Sequence, residues 1–300
     1  MTRHFLTDLD LSSQEQAELL GRAIEMKASP GDYARALEGK ILGMIFRKSS
    51  TRTRVSFEAG MMRLGGGAIF LSSAASQMGR GEPISDTGKV MSRYVDAVMI
   101  RTFDHDEVQG LAKAATVPVI NGLDDLLHPC QALADLMTMR EAFGEVKGRQ
   151  LVYVGDGNNV ANSLMYAGAR AGVHVRIVTP DGFAPKPEVV GKAKAEADAT
   201  GARIETTTTT DVAAAVEGAD VIYTDVWASM GQENEAKARI AKFKGSQVDV
   251  ALMARAKKDA IFLHCLPAHR GEEVAADVID GDQSRVFDQA ENRLHAQNAL

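Results

Sequence analysis

The sequence predicts an α/β protein of two domains, each with a central parallel β-sheet flanked by helices. Two observations predict it. Short apolar runs that read as buried strands alternate with stretches whose apolar residues fall at helical spacing, the signature of a parallel sheet. The alternation stops once, at Phe143-Gly144-Glu145-Val146-Lys147-Gly148, and then restarts. The boundary is therefore expected there, with one domain in residues 1–144 and the other in 145–285.

A chain of 300 residues is long enough for two ordinary cores, and 45% hydrophobic with 25% charged residues is a globular composition. The net charge of −6 and a pI near 5.7 leave no overall basic footprint for nucleic acid. Positive charge is local instead, which suits a small anion. The two cysteines, Cys130 and Cys265, have no metal-ligand spacing, and so few thiols fit a reducing compartment. The first ten residues lack the apolar core of a signal peptide, and no run approaches the roughly 20 apolar residues of a membrane span. A soluble, cytoplasmic protein is expected.

In chain order, Ser12-Ser13-Gln14-Glu15 reads as a helix cap, with Leu19, Leu20, Ile24 and Met26 following on one face. Ser29-Pro30-Gly31-Asp32 is a turn. Lys40–Phe46 reads as a buried strand, and Val55, Phe57, Met61, Met62 and Leu64 as a helix that stops at Gly65-Gly66-Gly67. Between them lie Arg47, Lys48, Ser49, Ser50, Thr51, Arg52, Thr53 and Arg54. A helix N-terminus offers backbone N–H groups and partial positive charge to an anion, and hydroxyls and guanidinium groups add donors that match phosphate. Singly, each is an ordinary cap or a solvated arginine; four cations and four hydroxyls in eight residues point to a bound anion.

Ala68–Leu71 is the next strand, followed by a small, polar loop that includes Gln77. Asp86 is expected to cap a helix, Ala97–Ile100 to be a strand delivering Arg101, and Val117–Gly122 another strand. A helix is expected around His128–Thr138, with His128 and Gln131 on one face if its first turn begins there. Taken alone, His128 reads as a capping or core histidine.

Beyond the boundary, Gln150–Val154 is a strand and Gly155-Asp156-Gly157-Asn158-Asn159-Val160 the turn after it, which makes this half Rossmann-like in outline. Val160 stands where the dinucleotide fingerprint has its third glycine, so the turn reads as a tight strand-to-helix connection with asparagine amides left to bind something else. Val173–Val178, Ala219–Asp225 and Ala260–Cys265 are further strands, and the threonines 206–210 are strand and cap chemistry. Open parallel sheets bind ligands outside the carboxyl ends of their strands, where Arg101, Asp225 and Cys265 fall. By themselves Asp225 reads as a helix cap, Cys265 as a small buried hydrophobe and Glu291-Asn292-Arg293 as a solvated helix start.

Taken together, Ser50-Thr51-Arg52-Thr53-Arg54, His128-Pro129-Cys130-Gln131, Asp225-Val226-Trp227-Ala228-Ser229-Met230-Gly231 and His264-Cys265-Leu266-Pro267 resemble the aspartate/ornithine carbamoyltransferase superfamily, the last two its ornithine branch. The resemblance runs from the first helix to Arg293. It implies transfer of the carbamoyl group of carbamoyl phosphate to the δ-amine of L-ornithine, giving L-citrulline and phosphate in arginine metabolism, without metal or cofactor. It implies that Ser50, Thr51, Arg52 and Thr53 hold the phosphate and that Arg101 and His128 reach the carbamoyl oxygen. Gln131 and the carbonyls of Cys265 and Leu266 would take the carbamoyl NH₂, and Arg293 would add a cation. Asn159, Asp225, Ser229 and Met230 would hold ornithine, with Cys265 beside its reacting amine. The resemblance further implies a homotrimer with active sites at subunit interfaces, Gln77 reaching a neighbour's site, and a C-terminal segment, 286–300, that packs back on the first domain.

Arg101, His128 and Thr53 are the expected donors to the oxygen on which charge develops, and Arg52 assists the departing phosphate. Asp225 and Cys265 would position the amine, whose proton goes to the phosphate or to Cys265. Binding on two domains predicts closure. The rivals are a sister transferase acting on putrescine or an N-acylated ornithine, a non-catalytic homologue and, on the glycine turn, a nicotinamide dehydrogenase.

Overall fold

The apolar runs of the sequence become strands, and the stretches at helical spacing become helices flanking them. The structure is a computed structural model and describes residues 2–72, 77–209, 211–228 and 236–300. It divides into two compact units, Met1–Met137 with Glu291–Leu300, and Thr138–Ala290.

In the first unit α1 (Ser13–Ala28) begins at Ser12, whose side chain accepts from Glu15 N while Glu15 bonds back, the reciprocal cap that the sequence predicts. Then follow β1 (Ile41–Phe46), α2 (Thr51–Arg63), β2 (Gly67–Ser72), α3 (Ile84–Met91), β3 (Ala97–Arg101), α4 (His105–Ala114), β4 (Val119–Leu123) and α5 (Pro129–Phe143). The four strands pair in parallel in the order β2-β1-β3-β4. Ile45, Val98, Ile100, Val108, Leu111 and Val119 pack as one core beneath α3 and α4. Asp86 proves not to be a cap: α3 starts from Pro83, whose φ of −60° already suits a helix start, and Asp86 lies inside the first turn.

The second unit carries β5 (Gln150–Val154), α6 (Asn159–Ala171), β6 (His174–Thr179), α7 (Pro187–Asp198), β7 (Ile204–Thr208), α8 (Val212–Ala215) and β8 (Val221–Thr224). It continues through α9 (Ala236–Lys242), α10 (Val250–Met253), β9 (Ile261–His264), α11 (Ala276–Ile279) and into α12 (Val286–Ala299). Its sheet is parallel in the order β7-β6-β5-β8-β9. The strand order reverses at β5, with Val152, Val154, Ile222, Phe262 and Val274 in the core around it. The first three threonines of the run, Thr206, Thr207 and Thr208, are the exposed end of β7, an edge strand, and Thr210 lies outside the described residues.

The division between the units falls within α5 rather than in the Phe143–Gly148 turn. That helix is unbroken, and buried residues continue from Cys130 to Met139, so no change of composition marks the point where the packing changes. The second crossing, at Glu291, falls within α12, which is likewise unbroken. No helix among the described residues is long and apolar enough to cross a membrane.

Candidate active site

Phe46 ends β1, and the chain turns through Arg47–Ser49 into α2. Ser50 caps that helix in an extended conformation, its Oγ accepting from Thr53 N at 3.2 Å. Arg47 N donates to Arg101 O at 2.9 Å, so the end of β3 is tied to the turn. Three side chains then converge on one oxygen: Thr53 Oγ1 lies 3.1 Å from Ser50 Oγ, 3.4 Å from Arg101 Nη1 and 3.3 Å from Arg293 Nη2. A hydroxyl has two lone pairs, so this cluster, buried at Thr53, Arg101 and Arg293 and half-buried at Ser50, gathers several donors around one oxygen, a composition that suits an anion.

The four cations of the turn are not equivalent. Arg47 pairs with Glu107. Lys48 is buried, 2.7 Å from Asp125 Oδ1 and over the Phe103 ring. Arg54 pairs with Glu58 at 3.1 Å and lies over Phe70. Among the described residues Arg52 has no carboxylate partner, and it is exposed in the first turn of α2 beside Thr51. It is the cation of this turn with its charge to offer.

His128 precedes α5 and is 5% exposed. Burial, then the nearby Arg293, Arg101 and Lys48 charges, hold its pKa well below the usual histidine value, so the imidazole is neutral near pH 7. Gln131, in the first turn of α5, donates Nε2 to Asp135 Oδ1 at 2.8 Å and accepts from Arg293 Nη1 on Oε1 at 2.7 Å. Those bonds fix which way the amide faces and leave Oε1 its second lone pair. Arg293 corrects the sequence expectation of a solvated helix start: it lies inside α12, 5% exposed, and Lys27 Nζ donates to the adjacent Asn292 at 2.8 Å. Burial of Cys130 pushes its thiol up to about 12, which leaves it a packing residue. Gln77 is exposed at the start of a 3-10 turn, Gln77–Arg80.

In the second unit β8 delivers Asp225 and β9 delivers Cys265, both at carboxyl ends of strands, as the sequence predicts. Asp225 Oδ1 accepts from Cys265 Sγ at 3.0 Å, and Oδ2 accepts from Asn158 Nδ2 at 2.8 Å. Asn158 was open in the sequence to bind something else; it is instead committed, capping α6 by accepting from Val160 N and Ala161 N on Oδ1. Asn159 is the first residue of α6. Tyr153 reaches Asn158 Oδ1 at 3.4 Å, and burial with the Asp225 charge raises its phenol well above the ordinary value. Gly157 is required by close approach, since a Cβ there would strike Pro185 N and, at 2.6 Å, Phe183 O. This explains a glycine turn without a dinucleotide.

Leu266 takes a left-handed φ of +58°, and its N–H donates to His264 Nδ1 at 2.9 Å; His264 Nε2 lies 3.2 Å from the buried Glu273. The backbone after Cys265 is thereby held in one conformation. Ser229 and Met230 lie outside the described residues. Ligand-type atoms of Asp225, His264 and Cys265 come within 4.8 Å of one another, but those of Asp225 and His264 are already engaged in the hydrogen bonds above. Sequence reasoning passed over Asn158 and the buried Lys48 as partners, because each is defined by a contact with a residue more than sixty positions away.

Residues 3–141 match the family model described as the carbamoyl-P binding domain of aspartate/ornithine carbamoyltransferase, and residues 147–300 its Asp/Orn binding domain. The ornithine carbamoyltransferase of Oceanobacillus iheyensis is 58% identical over 300 residues, 99% of this chain and 92% of that protein. That of Anoxybacillus flavithermus is 55% identical, covering 99% and 95%. Among solved structures, ornithine carbamoyltransferase from Pyrococcus furiosus superposes with a TM-score of 0.95 at 54% identity, over 99% of this chain and 95% of that one. The anabolic enzyme from Campylobacter jejuni gives 0.93 at 40% identity, over 100% and 97%. With both halves of the sequence matched, the chain belongs to the aspartate/ornithine carbamoyltransferase family.

Proposed function

We propose that this protein transfers the carbamoyl group of carbamoyl phosphate to the δ-amine of L-ornithine, releasing L-citrulline and phosphate, in the cytoplasm. The observation that carries the reading is the convergence of Ser50, Arg101 and Arg293 on Thr53 at the N-terminus of α2, beside the exposed Arg52. In this reading the first unit is the carbamoyl phosphate domain. The α2 N–H groups with Ser50, Thr51, Arg52 and Thr53 hold the phosphate, and Gln77 from a neighbouring subunit completes the site. Gln131 Oε1 accepts from the carbamoyl NH₂.

Attack by a neutral amine puts negative charge on the carbamoyl oxygen. Arg101, Thr53 and a neutral His128, which donates without adding repulsion to the two guanidinium groups, stabilise that charge where it forms. Arg52 and Arg293 stabilise the phosphate as it leaves. The second unit is the ornithine domain: Asp225 orients the δ-amine, Asn159, Ser229 and Met230 hold the amino-acid end, and Cys265 lies beside the amine. The carbonyls of Cys265 and Leu266 take the remaining carbamoyl N–H.

The assembly is a homotrimer in this reading. Val55 and Met62, one face of α2, and Ile69 on the edge strand β2 are 55%, 68% and 45% exposed, an apolar surface of the kind that subunits cover. The test is a product assay with carbamoyl phosphate and, in parallel, L-ornithine, N-acetylornithine, putrescine and L-aspartate. Citrulline from ornithine alone is the expected result. Turnover of another amine would keep the phosphate site and overturn the assignment of the second unit.

A further inference from the structure

The loop between β4 and α5 spans four residues, Asp124 to Leu127, before it presents His128. Much of its hydrogen bonding comes from one side chain. Asp124 is fully buried, and its carboxylate accepts four hydrogen bonds. Oδ1 takes Leu126 N at 2.8 Å and Leu127 N at 2.7 Å; Oδ2 takes Asn121 Nδ2 at 2.8 Å and sits 2.7 Å from His105 Nδ1. The backbone closes the same turn, Asp124 N donating to Leu127 O at 3.0 Å, and His128 O then receives Gln131 N and Ala132 N as α5 begins. On its outer side the loop is tied by Asp125 N to Phe103 O at 2.8 Å and by Lys48 Nζ to Asp125 Oδ1 at 2.7 Å. Thus the chain segment carrying His128 is tied both to the first turn of α4 and to the anion turn.

We propose that Asp124, with His105 as its partner, is the positioning residue of His128, fixing the β4–α5 loop so that the imidazole meets the carbamoyl oxygen. The proposal rests on the carbamoyl-transfer reading of this unit. Neither Asp124 nor His105 touches the substrate in it; both act through the loop. Four acceptor contacts use the carboxylate fully, and an isosteric amide cannot replace it, because its NH₂ would face the Asn121 or backbone donors. A donor displaced by as little as about 1 Å loses rate on the order of 100-fold, since it no longer meets the oxygen in the transition state. Protonated His105 makes its bond to Asp124 charge-assisted. The bond to Asp124 raises the histidine pKa, burial opposes it, and the Asp106 and Asp10 charges add to the rise. The anchoring is thus full below the ordinary histidine value and is lost as pH rises through the raised one.

The experiment uses Asp124→Asn and the milder His105→Gln. Readouts are kcat, KM for carbamoyl phosphate, melting temperature and the ring ¹⁵N resonances of His128, assigned by comparison with His128→Gln. Asp124→Asn is expected to lower kcat about 10- to 100-fold while KM stays within about threefold, because the phosphate grip of α2 is untouched. His128 resonances move with it. For His105→Gln the wild-type advantage in kcat is greatest at acid pH and vanishes as His105 deprotonates. Variants with wild-type kcat and unmoved His128 resonances, or with only a lower melting temperature, would overturn the proposal. Should the wild-type protein itself form no citrulline, the reaction assignment fails, and the His128 resonances alone decide whether Asp124 holds the loop.

Discussion

At the scale of the residue, neighbours decide which charges are available. Arg52 and Arg54 stand two positions apart, yet Arg54 is occupied by Glu58 and the Phe70 ring while Arg52 has no carboxylate partner among the described residues. Arg52→Ala is therefore expected to lower kcat/KM for carbamoyl phosphate on the order of 100-fold, the loss of a charge-assisted phosphate contact, and Arg54→Ala far less; steady-state kinetics on the two variants checks the contrast. His128 gives a pH prediction. Burial and three cations depress its pKa, so the neutral form persists at every pH above that depressed value. Its Cε1 resonance should stay at the neutral position from pH 8 down through the usual histidine range, with no midpoint near 6.5. The residue types of the candidate site were legible in the sequence, because hydroxyls and guanidinium groups at a helix start are the donors that a phosphate would need. Their states were not. The burial of Arg293 and the commitment of Asn158 come from contacts across 162 and 67 positions, which no local pattern encodes.

At the scale of the element, strands were the legible part. Each apolar run read as a strand in the sequence overlaps a strand of the structure, and the parallel pairing follows from the helices between them. Helix ends were less so: Asp86 has a capping side chain, but Pro83 upstream sets the helix start first. The glycine turn shows why a motif can mislead. A side chain at Gly157 would strike the backbone of Phe183 and Pro185, a packing demand that a nucleotide-binding glycine shares. Gly157→Ala should cost about 1–3 kcal/mol, since fixed backbone rather than a flexible side chain must move; urea denaturation of the second unit measures it. Thermal shift with NADH should show no stabilisation.

At the scale of the whole molecule, the two α/β units and the return of the C-terminal segment to the first were legible, while the exact seams, both within continuous helices, were not. The proposed trimer makes its prediction here. Met62→Glu with Ile69→Asp places charge on the exposed apolar face of α2 and β2, and sedimentation velocity should show the trimer replaced by monomer, with citrulline formation lost as Gln77 leaves its neighbour. One feature of the first unit reaches further than stability. Arg293 meets Thr53 across 240 positions of chain, and the unit to which both belong is interrupted by the whole of the second. A ribosome synthesising this protein releases the anion turn 240 residues before Arg293 follows. Over that whole interval of synthesis the nascent chain holds the proposed phosphate site without one of its cations.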